Sequence, residues 1–273
     1  MNYLNNLKKE ELSIGLLQYE IHTKEPMENI NKISHLLGQK NNDIIVLPEM
    51  GITGFSLKRL DHFLNEVEYY LKILKELANT YNTAICTTLP YKEGNFIYNR
   101  LFFILPDGEM YWYDKHYLID WGGFNEGKYF SQGNSFLVIK YFGWIIGFAI
   151  CYDLRFPELF YYMNKYSYEK YNDFIKLFLI PVQWPNRRIH HFTLLSKARA
   201  VENLAIVAAT NNIGRMGELE FNGRSIVVDP DGNELLLIEN YETLENCKIN
   251  YKIVDSIQKD RPILLDRYKK NWY

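Results

Sequence analysis

Three short apolar runs in this chain each break off at a group able to do chemistry. Asp43–Leu47 ends at Pro48-Glu49, Gly143–Cys151 closes on Phe-Ala-Ile-Cys, and Leu177–Pro181 leads into Val182-Gln183-Trp184. Runs this short and this apolar predict strands covered on both faces rather than helices or half-wet strands. Helices must supply that cover, and helical spacing lies between the runs. Pro26 opens a stretch with Ile30, Ile33, Leu36 and Leu37 on one face, Leu57–Tyr81 predicts a longer helix, and others are expected from about Pro157 and over Arg187–Asn203.

Further strands are expected at Leu12–Leu17, Thr83–Leu89 and Leu204–Thr210, and Cys247 sits in an alternating C-terminal strand. Two hairpins interrupt the alternation. One pairs Phe96–Leu105 with Glu109–Tyr113 across Pro106-Asp107-Gly108, and the other turns at Asp229–Gly232. The order reads as α/β, with the hairpins breaking a pure doubly wound pattern. Lys115–Gly133 is a long connection carrying Gly122, Gly123, Gly127 and Gly133, a length usual for functional loops. No linker-like segment divides the chain, so one domain over 1–273 is expected, with a surface arm over about 255–273.

The charge balance narrows the partners. Thirty-one basic against 33 acidic side chains, net −2, argues against nucleic acid, which demands a clear cationic excess. No apolar stretch is long enough for a membrane span, and Met1–Leu12 is polar, without the apolar core of a secretory leader. Three cysteines without close spacing make neither a disulfide framework nor a zinc site, and His190-His191 lacks metal-ligand spacing. No Gly-rich phosphate loop is present. A reduced cytoplasmic protein without metal or organic cofactor is expected.

Among the cysteines, only Cys151 has a reactive context. It closes a buried strand and precedes Tyr152-Asp153-Leu154-Arg155-Phe156-Pro157-Glu158, whose Asp and Pro are helix-start residues. A strand–Cys–helix elbow exposes a nucleophile, lowers its thiol pKa through the helix dipole, and frees the next backbone N–H as an oxyanion donor. The plainer readings remain beside this one. A strand-end cysteine ordinarily fills core, Glu49 after a proline is ordinarily a solvated turn residue, and Lys115 ordinarily a surface charge.

Taken together, Val46-Leu47-Pro48-Glu49-Met50, Asp114-Lys115-His116 and Ile150–Glu158 resemble the three catalytic segments of the nitrilase superfamily, the carbon–nitrogen hydrolases, in that family's order. Tyr98-Asn99-Arg100, Gly232 in its hairpin and Lys197–Asn203 are also similar to family segments, so the likeness covers nearly the whole chain. Gln183–Arg187, His190-His191 and Arg199–Asn203 look most like the ω-amidase branch, which hydrolyses terminal amides of α-keto acids such as 2-oxoglutaramate. Cys86-Thr87-Thr88 departs from the small residues commoner in relatives, which leaves the pocket wall there open.

The resemblance implies a four-layer α-β-β-α sandwich and amide hydrolysis through a Cys151 thioester. Glu49 would act as base, Lys115 and the Tyr152 N–H as oxyanion donors, and Glu126 as a second glutamate holding Lys115 or the amide. Tyr152, Trp184, Arg155 and His116 are the candidate substrate-binding residues, with Arg187 and Arg188 as further candidates for a substrate carboxylate. A nitrilase or N-carbamoyl amidohydrolase would share the triad. A Cys–His protease using His116 or His191, or a binding protein with a buried Cys151, are readings from other classes. The apolar run Leu159–Met163 and the family's habit of associating beside the elbow imply a homodimer.

Overall fold

The computed structural model describes residues 8–122 and 124–269. Gly123, most of the polar leader and the last four positions of the expected arm lie outside them. In chain order the strands are β1 (Glu11–Gln18), β2 (Ile44–Val46), β3 (Ala84–Glu93), β4 (Phe96–Ile104), β5 (Met110–Asp114), β6 (Val138–Tyr141), β7 (Trp144–Phe148) and β8 (Leu177–Pro181). They continue with β9 (Ile206–Thr210), β10 (Ile213–Met216), β11 (Leu219–Asn222), β12 (Ile226–Val228), β13 (Glu234–Leu237) and β14 (Thr243–Asn250). The helices are α1 (Pro26–Leu37), α2 (Leu60–Thr80), α3 (Pro157–Tyr171), α4 (Ile189–Asn203), α5 (Tyr251–Asp260) and α6 (Ile263–Lys269).

Two six-stranded mixed sheets carry the architecture, ordered β14-β1-β2-β3-β4-β5 and β13-β12-β9-β8-β7-β6. Both expected hairpins form, β4 on β5 and β12 on β13. Strand alternation explains how the sheets layer. Ile44, Val46, Cys86, Leu101 and Phe103 point into a core shared with Ile146, Phe148, Leu179 and Ala208 of the second sheet. Their neighbours Ile45, Ile85, Phe102 and Ile104 point the other way, onto Ile30, Ile33, Leu71 and Leu74 of α1 and α2. On the far side α3 covers the second sheet, with the Phe160 ring 5.0 Å from that of Phe178. The result is the expected α-β-β-α sandwich.

Several boundaries shift for local reasons. The second helix begins at Leu60, because Leu57–Arg59 forms a 3-10 turn. β9 starts at Ile206, since Leu204 caps α4 in the left-handed region at φ 46°. The C-terminal segment is helical and partly built in, with Val254, Gln258 and Leu264 buried. Leu159, Phe160 and Met163 are also buried within the chain, so the run beside the elbow is largely core rather than a free apolar face.

Candidate active site

The carboxyl ends of β2 and β8 meet across the two sheets. Glu49 N–H donates to Val182 O at 3.2 Å, and Gln183 Nε2 donates to Glu49 O at 2.7 Å. The next residue, Met50, adopts φ 49° and donates its N–H to Thr88 Oγ1 at 2.8 Å. With its backbone clamped from both sides, the buried Glu49 carboxylate accepts from Asn99 Nδ2 at 2.7 Å and from Lys115 Nζ at 2.9 Å.

Lys115 follows β5, donating its N–H to Asn99 O at 3.0 Å while its own carbonyl accepts from Gly133 N at 2.8 Å. A Cβ on Gly133 would stand 2.1 Å from Asp114 O. Only glycine lets the long loop return this closely upon its own start. Within the loop, a 3-10 turn at Glu126–Lys128 brings Glu126 Oε1 and Oε2 to 2.9 and 3.0 Å from Lys115 Nζ, and Ile119 N–H fixes Oε2 at 2.8 Å. Burial would push the ammonium pKa down, but the Glu126 and Glu49 carboxylates outweigh it and hold it well above its ordinary value. Burial raises Glu126, with Lys115 opposing.

Cys151 takes φ 44°, a left-handed conformation that a non-glycine residue adopts only under constraint. The constraint is Asp153. Its carboxylate accepts from Ile150 N at 2.9 Å, Tyr117 N at 3.0 Å and Tyr113 Oη at 2.7 Å. The Tyr152 N–H has no backbone acceptor among the described residues. Cys151 Sγ lies 3.6 Å from Gln183 O.

One expectation fails here. The thiol is not lowered by a helix dipole, since Cys151 heads only a five-residue 3-10 turn and α3 starts at Pro157. Burial pushes the thiol well above its ordinary value, reinforced by the Glu49 carboxylate and only partly offset by Lys115. A resting thiol of this kind needs a base to become a nucleophile.

Cys151 opens onto two cavity branches. The larger, about 390 Å³, is lined by Glu49, Glu126, Phe55, Leu57, Tyr129, Met216, Leu219 and Phe221. The smaller, about 50 Å³, is lined by Tyr152, Arg155, Trp184, Trp121 and Arg188. The Arg155 guanidinium carbon lies 4.6 Å from the Trp184 ring centroid, and that of Arg188 lies 4.5 Å from Trp121. Arg155 Nε is shielded yet has no partner among the described residues.

Six of the eight expected residues therefore meet around Cys151 itself: Glu49, Lys115, Glu126, Tyr152, Trp184 and Arg155. His116 does not join them. It stacks on Tyr113 at 5.3 Å and 6° between planes and lines neither branch. Consecutive residues leaving a strand point to opposite sides, so an inward Lys115 turns its neighbour away. Arg187 likewise lines neither branch. Cys86 packs in the core, while Thr88 beside it supports Met50. Among the described residues no cluster of His, Cys, Asp and Glu could hold a metal ion.

The roles of Asn99, Gln183 and Asp153 were not legible beforehand. An asparagine in mid-strand among aromatics, where amides are depleted, is the signal that marks Asn99.

Two mixed sheets between helices, with a glutamate, a lysine and a cysteine converging where the sheets meet, define a class. Residues 13–244 match the carbon–nitrogen hydrolase family, and the chain belongs to it. It is a hydrolase acting on carbon–nitrogen bonds. The 2-oxoglutaramate amidase of Bacillus subtilis (strain 168) is 29% identical over 266 residues, covering 96% of this chain and 99% of that one. The omega-amidase YafV of Escherichia coli (strain K12) is 30% identical over 223 residues, covering 81% and 82%. Among solved structures, the CN-hydrolase superfamily protein XC1258 from Xanthomonas campestris superposes with a TM-score of 0.89 at 28% identity, over 97% of this chain and 99% of that one.

Proposed function

We propose that this enzyme hydrolyses ω-amides of α-keto dicarboxylates, with 2-oxoglutaramate as the type substrate, through a thioester on Cys151. The observation that carries the reading is the branch beside Cys151 in which Arg155, with an unpartnered Nε, faces a small aromatic-walled space shared with Arg188. A carboxylate paired there sets the distal amide against the sulfur. The names of the relatives, 2-oxoglutaramate amidase and omega-amidase, point the same way.

In this mechanism Glu49 takes the thiol proton as Cys151 attacks the amide carbon. Lys115 and the Tyr152 N–H stabilise the oxyanion, each such donor supplying roughly 10²–10³ in rate. Glu49 protonates the departing ammonia and then activates the water that cleaves the thioester. Glu126 positions Lys115. The enzyme is proposed to act in the cytoplasm, in keeping with its three free cysteines. A homodimer through the α3–α4 face is also proposed, on the exposed Tyr162, Leu194 and Val201.

The test is ammonia release from 2-oxoglutaramate against butyronitrile. The amide should win by at least about a hundredfold in kcat/KM, and Cys151→Ala should abolish turnover. Equal rates on the nitrile would overturn the substrate assignment.

A further inference from the structure

A second cavity lies apart from Cys151, at the open edge of the sandwich. It holds about 460 Å³, is bordered by the edge strand β6 and the C-terminal part of α3, and shares no lining residue with the two branches at the thiol. Tyr111 of β5 adds a further wall. Phe136 stands just before β6 and Tyr166 on α3, their rings edge to face with centroids 5.2 Å apart. A cleft of this size with aromatic walls suits a small organic molecule.

Its charge is unbalanced. Lys140 Nζ lies 5.5 Å from the Tyr171 ring centroid, and Lys170 Nζ lies 5.0 Å from the same centroid. Lys170 also donates to Tyr166 Oη at 3.1 Å, and the Tyr166 and Tyr171 hydroxyls hold its pKa above the ordinary value. Among the described residues neither ammonium pairs with a carboxylate. Two like charges gathered on one ring repel, and an anion between them turns repulsion into attraction. The backbone adds a donor. The Phe142-Gly143 turn, at φ 49° and 83°, closes Tyr141 on Trp144, so alternation along β6 turns the Lys140 N–H to the free edge. Tyr171 Oη is held to that edge by donating to Val138 O at 3.4 Å. Tyr111 Oη donates to Glu109 Oε1 at 2.6 Å, which keeps negative charge on its own side.

We propose that this cleft is a second binding site, for a phosphate monoester that carries a flat aromatic ring, as a nucleoside monophosphate does. The phosphate, close to a dianion at neutral pH, sits between Lys140 and Lys170, where a carboxylate would offset only one of the two charges. The ring packs against Phe136 and Tyr111, the side on which Glu109 disfavours the phosphate. No bond is made or broken there. In chain order β6 and α3 stand on either side of β7 and Cys151, so the bound molecule ties together the two elements that bracket the nucleophile.

The experiment is titration calorimetry of the whole enzyme with adenosine 5′-monophosphate at about 50 mM salt. A Kd below about 1 mM is expected, with adenosine and inorganic phosphate each binding at least about tenfold more weakly, because each supplies half of the recognition. Lys140→Gln and Lys170→Gln should each weaken the nucleotide at least about fivefold and leave amide kcat/KM within about twofold. Both side chains are exposed, so neither change endangers folding. Benzoate binding more tightly than the nucleotide would overturn the phosphate assignment. Binding removed by Arg155→Gln and untouched by the two lysine changes would place the nucleotide beside Cys151 and overturn the second site. No binding of the nucleotide would overturn it as well, and the proposed function would stand.

Discussion

Lys115 and Lys176 are equally sealed from solvent, each 1% exposed, yet they occupy opposite kinds of site. Both partners of Lys115, Glu49 and Glu126, are themselves buried and line the cavity. Lys176 reaches outward to Asp173 at 2.7 Å and Asp255 at 3.1 Å, whose side chains are 34% and 22% exposed. It also donates to Gln258 Oε1 at 2.5 Å, and Gln258 in turn donates to the carbonyls of Ile175 and Leu204. Lys176 thus clips α5 to the second sheet with charges that water still reaches. Lys115 is one ammonium between two enclosed carboxyl groups that border the same cavity as the Cys151 thiol. Burial of a cation is common to both; burial of its counter-charges makes the difference between a fastener and a reactive site.

Substitutions can test that contrast. Glu49→Gln should have the largest effect, lowering amide kcat/KM by about 10³–10⁴-fold. It should move the thiol in the other direction, because the carboxylate that raises the Cys151 pKa is gone while Lys115 remains. Iodoacetamide should therefore label Cys151 faster than in wild type at pH 7.5, with the rise in rate against pH displaced to lower pH. Slower labelling would show that Glu49 does not face the sulfur. Lys115→Met should lower kcat/KM by about 10²–10³-fold, and turnover within tenfold of wild type would dissolve the comparison.

Lys176→Met should instead be read in stability. Its half-exposed partners reduce the usual 3–5 kcal/mol of a broken buried pair to about 1–2 kcal/mol, a Tm lower by about 2–8 °C, with kcat/KM within twofold. The smallest effect should appear in acid. Burial would raise the Asp255 carboxyl, but Lys259 and Lys176 outweigh it and hold the pKa below its ordinary value. The stability this gives is present above the unfolded carboxylate pKa and lost as pH falls through the folded one. The Tm of Lys176→Met should fall less steeply than wild type as pH drops from 5 to 3.

The sequence carried most of the first site and little of the second. Glu49, Lys115 and Cys151 each follow a short apolar strand or a hairpin strand, and strands of that kind are readable from apolar continuity alone. Glu126 lies in a loop without periodicity, and resemblance rather than pattern singled it out. Lys176 and its partners Asp255 and Gln258 lie about 80 positions apart, and no local signal joins them. The β10–β11 hairpin was also unforeseen, although Gly214 and Gly217, both at positive φ, mark its course. The expected dipole on Cys151 failed because an elbow can be recognised from residue types, whereas the length of the turn behind it cannot.

The seam between the sheets has a consequence for how the protein comes to be active. Glu49, Lys115 and Glu126 all precede β6, whereas Cys151 and Gln183 come with the second sheet. A chain emerging from the ribosome presents Glu49, Lys115 and Glu126 before it owns the Cys151 thiol, and that thiol is held in its left-handed bend only once Tyr113 and Tyr117 reach Asp153. On the proposed mechanism, hydrolysis is thus withheld until the two halves dock.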